Sequence, residues 1–134
     1  MSYGASFALQ KAVYGTLTAS AELQAAVDGA VFDQPPTGAV PALYVTLGPE
    51  KVRDRSDGSA RGAWHDFDVS VVSESGGFGG AKSVAVLVSD LLNGAGLTLE
   101  RGELTGLHFV KAAARRVSGV RRIDLTFRAR VDAI

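Results

Sequence analysis

A chain of 134 residues has the size of one folding domain and is long enough to bury roughly two thirds of its unfolded surface. It contains no cysteine, which excludes disulfides, thiolate nucleophiles and cysteine-based zinc sites. Its 14 basic and 14 acidic residues give zero net charge, which excludes a general electrostatic attraction to nucleic acid or anionic lipid.

The N-terminal third is predicted to be helical. The first residues, MSYGASFALQKAV, lack the basic start and long apolar run of a signal peptide, and no segment reaches the ~20 apolar residues that span a bilayer. We therefore expect a protein that is soluble and intracellular when made. Residues 6–18 have the apolar stripe of a helix, although Gly15 weakens it. SAELQAAVDG predicts a second, short helix that begins at Ser20 and ends at Gly29.

The next segment is predicted to contain a strand and a charged arm. After a short extended piece at Val31 and Phe32, three prolines require a loop over residues 34–41. Alternation over Leu43–Leu47 predicts a strand, which Gly48 and Pro49 bend or interrupt. The run EKVRDRSDGSARG then predicts a hairpin arm that turns at Asp57 and Gly58. Because the arm is too polar to join the core, we expect Arg53, Arg55 and Asp57 to be mobile until a partner orders them.

The middle of the chain has the clearest pattern. From Ala63 to Val72, residues with odd numbers form an apolar face that includes His65, and most residues with even numbers are polar. After a glycine-rich segment, apolar residues recur at helical spacing from Ala81 to Leu91, and Asn93 with Gly94 ends that helix. An alternating strand followed by an amphipathic helix predicts a sheet that helices cover on one face.

The C-terminal third is predicted to be a β-hairpin. Leu97–Leu99 is predicted as a short strand, followed by a turn at residues 101–103. A two-residue turn at Ser118 and Gly119 places Val117 opposite Val120. This register puts these residues on the core face: Val110, Ala112, Ala114, Ile123, Leu125, Phe127, Ala129 and Val131. It directs these basic residues outward: Lys111, Arg115, Arg122, Arg128 and Arg130. A longer turn would reverse one strand, so the face of His108 is left open.

Together these elements predict a single α/β (α+β) domain over residues 1–134. Its sheet is mixed and mainly antiparallel, with helices packed on one face.

The most suggestive chemical motif is GGFGGAKS, at Gly76–Ser83. It lies between a strand and a helix and differs by one residue from the GxxxxGK[ST] loop that binds phosphates. The differing residue is Ala81, whose Cβ obstructs the wrapping of backbone N–H groups around a phosphate. A small nucleotide-binding enzyme is therefore the alternative from a different functional class, and a flexible glycine linker is the interpretation that we favour.

No other residues suggest a catalytic or metal site. Alternation puts His65 on one face of its strand and Asp66 and Asp68 on the other, so the three cannot converge on one ion. We expect no enzymatic activity and no cofactor. Trp64 also points away from the core, which predicts either a subunit contact or cover from the charged arm.

The charges are unevenly distributed along the chain. Seven basic residues and one acidic residue lie between Lys111 and Arg130, so this segment carries +6 and the rest of the chain −6. Such a pattern favours head-to-tail contact between identical copies, and a solvated hairpin is the alternative. The candidate interface consists of Arg53, Arg55, Asp57, Trp64, Asp66, Asp68, Arg115, Arg116, Arg121 and Arg122.

The order of elements resembles a known family. The segments ALQKAVYGTL, AELQAAVDGAVFD, PALYVTLG, GAWHDFDVSVVS and AKSVAVLVSDLLN, followed by a final β-hairpin, are similar to the tail-completion or tail-terminator proteins of long-tailed bacteriophages and gene-transfer agents. The resemblance extends from Leu9 to Val131 and is carried by the order and spacing of the segments.

The resemblance implies a structural protein without catalytic residues. It implies a homohexameric ring, made in the bacterial cytoplasm, that caps the tail tube at the head-proximal end of the virion, stops tube growth and contacts the head-side connector. DNA would only pass through the channel of such a ring. A head-tail connector or adaptor protein is the alternative within the same class.

Overall fold

A computed structural model describes residues 3–56, 61–74 and 78–133. Within these residues the chain forms three helices and one five-stranded sheet. The elements are α1 (Ser6–Ala19), α2 (Ala21–Val27), β1 (Val31–Phe32), β2 (Leu43–Asp54), β3 (Gly62–Ser73), α3 (Phe78–Leu92), β4 (Glu103–Val117) and β5 (Val120–Asp132).

The sheet has the strand order β1-β2-β3-β5-β4. The short β1 runs parallel to β2, and every other neighbouring pair is antiparallel. The apolar residues of β3 and β5 form one core with the buried side chains of all three helices. The predicted α+β fold, with a mixed and mainly antiparallel sheet, is therefore confirmed.

The helices begin and end where local signals place them. The Ser20 hydroxyl accepts a hydrogen bond of 3.2 Å from the backbone N–H of Leu23, which caps α2. Asp28 and Gly29 then adopt left-handed conformations that end this helix. The buried face of α1 contains Leu9, Val13 and Leu17. Each of the predicted helices is thus present.

In the part of the chain that the structure describes, no helix is both long and apolar enough to cross a lipid bilayer.

The charged arm is more ordered than the sequence indicated. β2 continues past a bulge at Gly48 and Pro49 to Asp54, and it pairs with β3 over this whole length. A Cβ added at Gly48 would lie 3.1 Å from the Cβ of Asp68, so a side chain at this point of the bulge would crowd β3. The expectation that the arm is too polar to join the rest of the subunit is wrong for Glu50–Asp54, and its mobility in the free subunit stays a prediction. The predicted turn at Asp57 and Gly58 lies outside the described residues.

Two predictions for the C-terminal third are also wrong. Leu97–Leu99 is irregular and forms no strand in the described structure. The β4–β5 register is as predicted, with Val117 opposite Val120. However, Val110, Ala112 and Ala114 are exposed rather than buried. The two alanines do lie on the helix side of the sheet, opposite Leu125 and Ile123, but none of the described helices covers them. Val110 falls in a bulge between Phe109 and Lys111 and lines a cavity on the opposite face.

Candidate functional site

The helix-free face of the sheet, here called the outer face, carries most of the candidate residues. Strict alternation along β3 and β5 directs one side chain in two toward it. Arg53 lies opposite Trp64 in the β2–β3 register, and His108 lies opposite Arg128 in the β4–β5 register. The outer face therefore includes Arg53, Trp64, Asp66, Asp68, His108, Arg115, Arg122, Asp124, Thr126, Arg128 and Arg130.

Asp66 is held by an arginine of the neighbouring strand. Arg128 donates two hydrogen bonds to its carboxylate, of 2.8 Å from Nε and 3.0 Å from Nη2. These bonds lower the pKa of Asp66 below its ordinary value and raise the pKa of Arg128. Asp68 accepts a hydrogen bond of 2.7 Å from the Thr126 hydroxyl. The acidic residues of β3 are thus occupied within their own subunit.

A second cluster is centred on Asp124. Its carboxylate accepts hydrogen bonds from the Ser70 hydroxyl at 2.6 Å, from Arg122 Nε at 2.9 Å and from Arg115 Nη2 at 3.2 Å. Burial raises the pKa of Asp124, but the bonds from Ser70 and the two arginines outweigh this effect and lower it overall. Arg115 and Arg122 therefore share one carboxylate, which ties β4, β5 and β3 together on the outer face.

Trp64 is covered by arginines of β5. The guanidinium carbons of Arg128 and Arg130 lie 5.9 Å and 5.5 Å from the centre of its ring, within the range of a cation–π contact. Its side chain is half-buried on the outer face, as the alternation predicted. The structure thus adds a source of cover that differs from both a neighbouring subunit and the charged arm.

The four arginines nearest the turn of the β4–β5 hairpin divide between the two faces. Arg115 and Arg122 are bound to Asp124 on the outer face. Arg116 and Arg121 lie opposite each other on the helix side of the sheet. Each is two residues along its strand from a residue of that side, Ala114 in β4 and Ile123 in β5. The backbone N–H of Arg55 donates a 2.7 Å hydrogen bond to Gly62, beyond the end of β2. Asp57 lies outside the described residues. The candidate set is therefore not one patch, and its acids and bases partly neutralise each other within the subunit.

One buried polar cluster was missed by the sequence reasoning. Glu50 accepts a hydrogen bond of 2.6 Å from the Ser6 hydroxyl, and its other oxygen lies 3.3 Å from Nδ1 of the fully buried His65. Burial raises the pKa of Glu50, but the bonds from His65 and Ser6 lower it overall. The Ser6 hydroxyl is bonded to the carboxylate and not to the imidazole, so the cluster lacks the nucleophile–base contact of a hydrolase. Its members are far apart in sequence, and no local motif identifies them.

From Phe78 onward, the described part of the glycine-rich segment is helical and does not have the geometry of a phosphate-binding loop. Gly79 and Gly80 belong to the first turn of α3, and Ala81 is completely buried. The ammonium group of Lys82 lies 6.0 Å from the centre of the Phe78 ring. β3 is antiparallel to both of its neighbours, so the crossover unit that supports a phosphate-binding loop is missing from the described sheet. Gly76 and Gly77 lie outside the described residues.

His65 also does not take part in a metal site with Asp66 and Asp68. As predicted, the histidine faces the core and the two carboxylates face outward. Over residues 3–56, 61–74 and 78–133, no three histidine, aspartate or glutamate side chains are close enough together to hold a metal ion.

We expect the stability of the fold to fall in acid. The pKa values of Glu50, Asp66 and Asp124 are all lower in the folded chain, so their stabilising contribution is present above the unfolded pKa of about 4 and is lost as the pH falls through the folded values. Urea unfolding from pH 7 to pH 3 should show a nearly constant free energy above pH 5 and a decline below pH 4. In Asp66→Asn the decline should be smaller. An equal free energy of unfolding at pH 6 and pH 3 would contradict this assignment.

We expect Trp64→Ala to lower the melting temperature of the isolated subunit. The substitution removes the ring that Arg128 and Arg130 cover, a contact worth about 0.5–1 kcal/mol at an exposed site, together with the partial burial of the ring. Trp64→Phe is the matched control and should retain part of the effect. An unchanged melting temperature in Trp64→Ala would show that the contact contributes nothing to the monomer.

Comparisons with known proteins agree with the resemblance in the sequence. The family model described as tail completion protein gp17 matches residues 11–132. A solved chain from the virion of a native gene transfer agent particle is 52% identical, superposes with a TM-score of 0.93, and is matched over 98% of this chain and 99% of that one. No curated protein sequence matches significantly. Because the family model spans most of the chain, this protein belongs to the gp17 family of tail completion proteins, which are structural proteins of phage-like tails.

Proposed function

We propose that this chain forms a homohexameric ring at the head-proximal end of a phage-like tail. There the ring caps the tail tube, stops its polymerisation and presents a surface to the head-side connector. The observation that carries the proposal is the match to a gene transfer agent virion chain, because it covers almost the whole of both chains at 52% identity.

The surface charges support this role. A terminator ring surrounds a channel through which DNA must move without binding tightly, and unpaired cations would retain it. The chain has no net charge, and the outer face holds Arg115, Arg122 and Arg128 on carboxylates of the same subunit. These pairs reduce the number of cations that are free to bind phosphate.

Electron microscopy of the purified protein tests the assembly. We expect ring-shaped particles with a central hole and sixfold symmetry. Tails from cells that lack the chain should be longer than normal and variable in length, because nothing ends tube growth. Tails of normal length that fail to join heads would instead indicate the adaptor function, and particles without a hole would contradict the ring.

A further inference from the structure

An open apolar trough lies between α3 and the β4–β5 hairpin. It has a volume of about 330 Å³ and is lined by Ala85, Val86, Phe109, Ala112, Ala114, Ile123 and Leu125, with Lys82 and Ser89 at its edge. α3 covers β3 and β5 but leaves the helix side of β4 open, since Val86 is 57% exposed and Phe109 38%. We call this surface the hairpin trough. Its alanine floor leaves space for bulky side chains from outside the subunit.

The hairpin trough has a basic rim. Arg116 and Arg121 lie on its side of the hairpin, and Lys82 lies on the wall formed by α3. None of these three side chains forms an ion pair with a carboxylate among the described residues. Within the same part of the chain, Nε of Arg121 is buried without a hydrogen-bond partner. This contrasts with the outer face, where Arg115 and Arg122 are paired. The rim therefore carries uncompensated positive charge beside an uncovered apolar surface.

A second exposed surface lies on α1. Phe7 is 68% exposed and Tyr14 37%, and their spacing of seven residues puts them on one side of the helix. The Tyr14 hydroxyl donates a 3.3 Å hydrogen bond to the carbonyl of Val31, which places this end of the surface next to β1. Lys11 lies between the two rings, but its ammonium group is paired with Glu100 at 2.7 Å, and Asp33 accepts a 2.8 Å hydrogen bond from Gln10 of the same helix. The α1 surface is thus aromatic, and Lys11, Glu100 and Asp33 together give it one net negative charge.

We propose that the hairpin trough of one subunit receives the α1 surface of a second copy of this chain. Phe7 and Tyr14 of the second copy pack on the floor formed by Ala112 and Ala114, and the carboxylates beside these rings, Asp33 and Glu100, face the basic rim. The two surfaces differ: the trough opens beside the edge strand β4, and the α1 surface reaches the other edge strand, β1, at Tyr14. Contact between them is therefore head-to-tail and generates a ring when the rotation closes. The proposal rests on the ring described above and assigns its subunit contact.

Cysteine crosslinking tests this contact directly, because the natural chain has no cysteine. Lys11→Cys places a thiol on α1 between Phe7 and Tyr14, and Ser89→Cys places one at the edge of the hairpin trough. With both substitutions in one chain, a short bis-maleimide should produce a ladder of covalent multimers, of which the largest contains all subunits of the ring. The reaction is carried out on rings in solution or on rings bound to tail tubes. The matched control is Lys11→Cys with Lys111→Cys, whose second thiol lies on the outer face and should give no ladder.

A second variant measures the energy of the same contact. Phe7 is exposed in the subunit, so Phe7→Ala should leave the melting temperature of the monomer unchanged while weakening self-association at least tenfold. Rings that form without a ladder from the Lys11–Ser89 pair, or that are unaffected by Phe7→Ala, would overturn the assigned contact and leave the proposed function intact. A wild-type chain that never self-associates, alone or on tail tubes, would overturn both.

Discussion

Replacing Arg116 and Arg121 together by glutamate is expected to convert assembled rings into folded monomers. The double substitution changes the charge of the trough rim by four units, and it places negative charges opposite Asp33 and Glu100 of the α1 surface, at a cost of several kcal/mol. Neither arginine is bound to a carboxylate in the described structure, so the melting temperature of the monomer should change little. Sedimentation velocity and thermal melting of the same preparation measure the two effects.

A control reverses a charge on the other face. Lys111→Glu changes the charge of β4 by two units on the outer face and should leave rings intact. If the Arg116 and Arg121 double variant still forms full rings in 0.1 M salt, the trough rim takes no part in assembly. At 1 M salt, where the Debye length is only about 3 Å, wild-type rings should also be weaker.

Asp124→Ala is expected to have the largest effect on the fold among the outer-face substitutions. It removes the acceptor for Ser70, Arg115 and Arg122, and it leaves the buried Ser70 hydroxyl next to a guanidinium group with no carboxylate between them. Leaving such groups unpaired costs roughly 1–3 kcal/mol, which corresponds to several degrees in melting temperature for a chain of this size. Urea unfolding of the monomer provides the free energy.

Asp124→Asn keeps one oxygen acceptor and the shape of the side chain, so its loss of stability should be smaller than that of Asp124→Ala. Equal free energies of unfolding for Asp124→Ala and wild type would show that the cluster contributes nothing to the stability of the fold. The Asp124 variants also distinguish the roles of two neighbouring arginines. Arg122 belongs to the Asp124 cluster, whereas Arg121 belongs to the trough rim.

The predictable part of this fold is the part with regular periodicity. Alternation in β3 placed His65 in the core and Trp64, Asp66 and Asp68 outside, and the turn at Ser118 and Gly119 fixed the hairpin register. These features are local, since side chains alternate with period two and a two-residue turn fixes which residues pair.

The errors have non-local causes. Ala112 and Ala114 were assigned to the correct side of the sheet but are exposed, because burial depends on how far α3 extends across neighbouring strands. A bulge that no turn residue marks reversed the face of Val110. Glu50 appeared to belong to a solvated arm, yet it contacts Ser6, 44 residues away. The sequence pattern predicts which face of a strand a side chain lies on. Contacts between distant segments decide whether that face is buried.

The same limit applies to the interface residues. From the sequence, the basic hairpin and the acidic residues of β3 looked like two complementary patches for contact between copies. In the folded chain Arg128 is bound to Asp66, so part of that complementarity is satisfied inside one subunit. The surfaces that remain unsatisfied are the trough rim and the α1 surface, and neither was distinguishable before the strands were placed.

Polymerisation of purified tail-tube protein with and without this chain tests the claim that the chain ends tube growth. Substoichiometric amounts of the chain should stop growth, with one sixfold ring visible at a single end of each tube by electron microscopy. The Arg116→Glu and Arg121→Glu double variant should allow growth to continue. Tubes that elongate equally with and without the wild-type chain, and that carry no ring at either end, would contradict the claim.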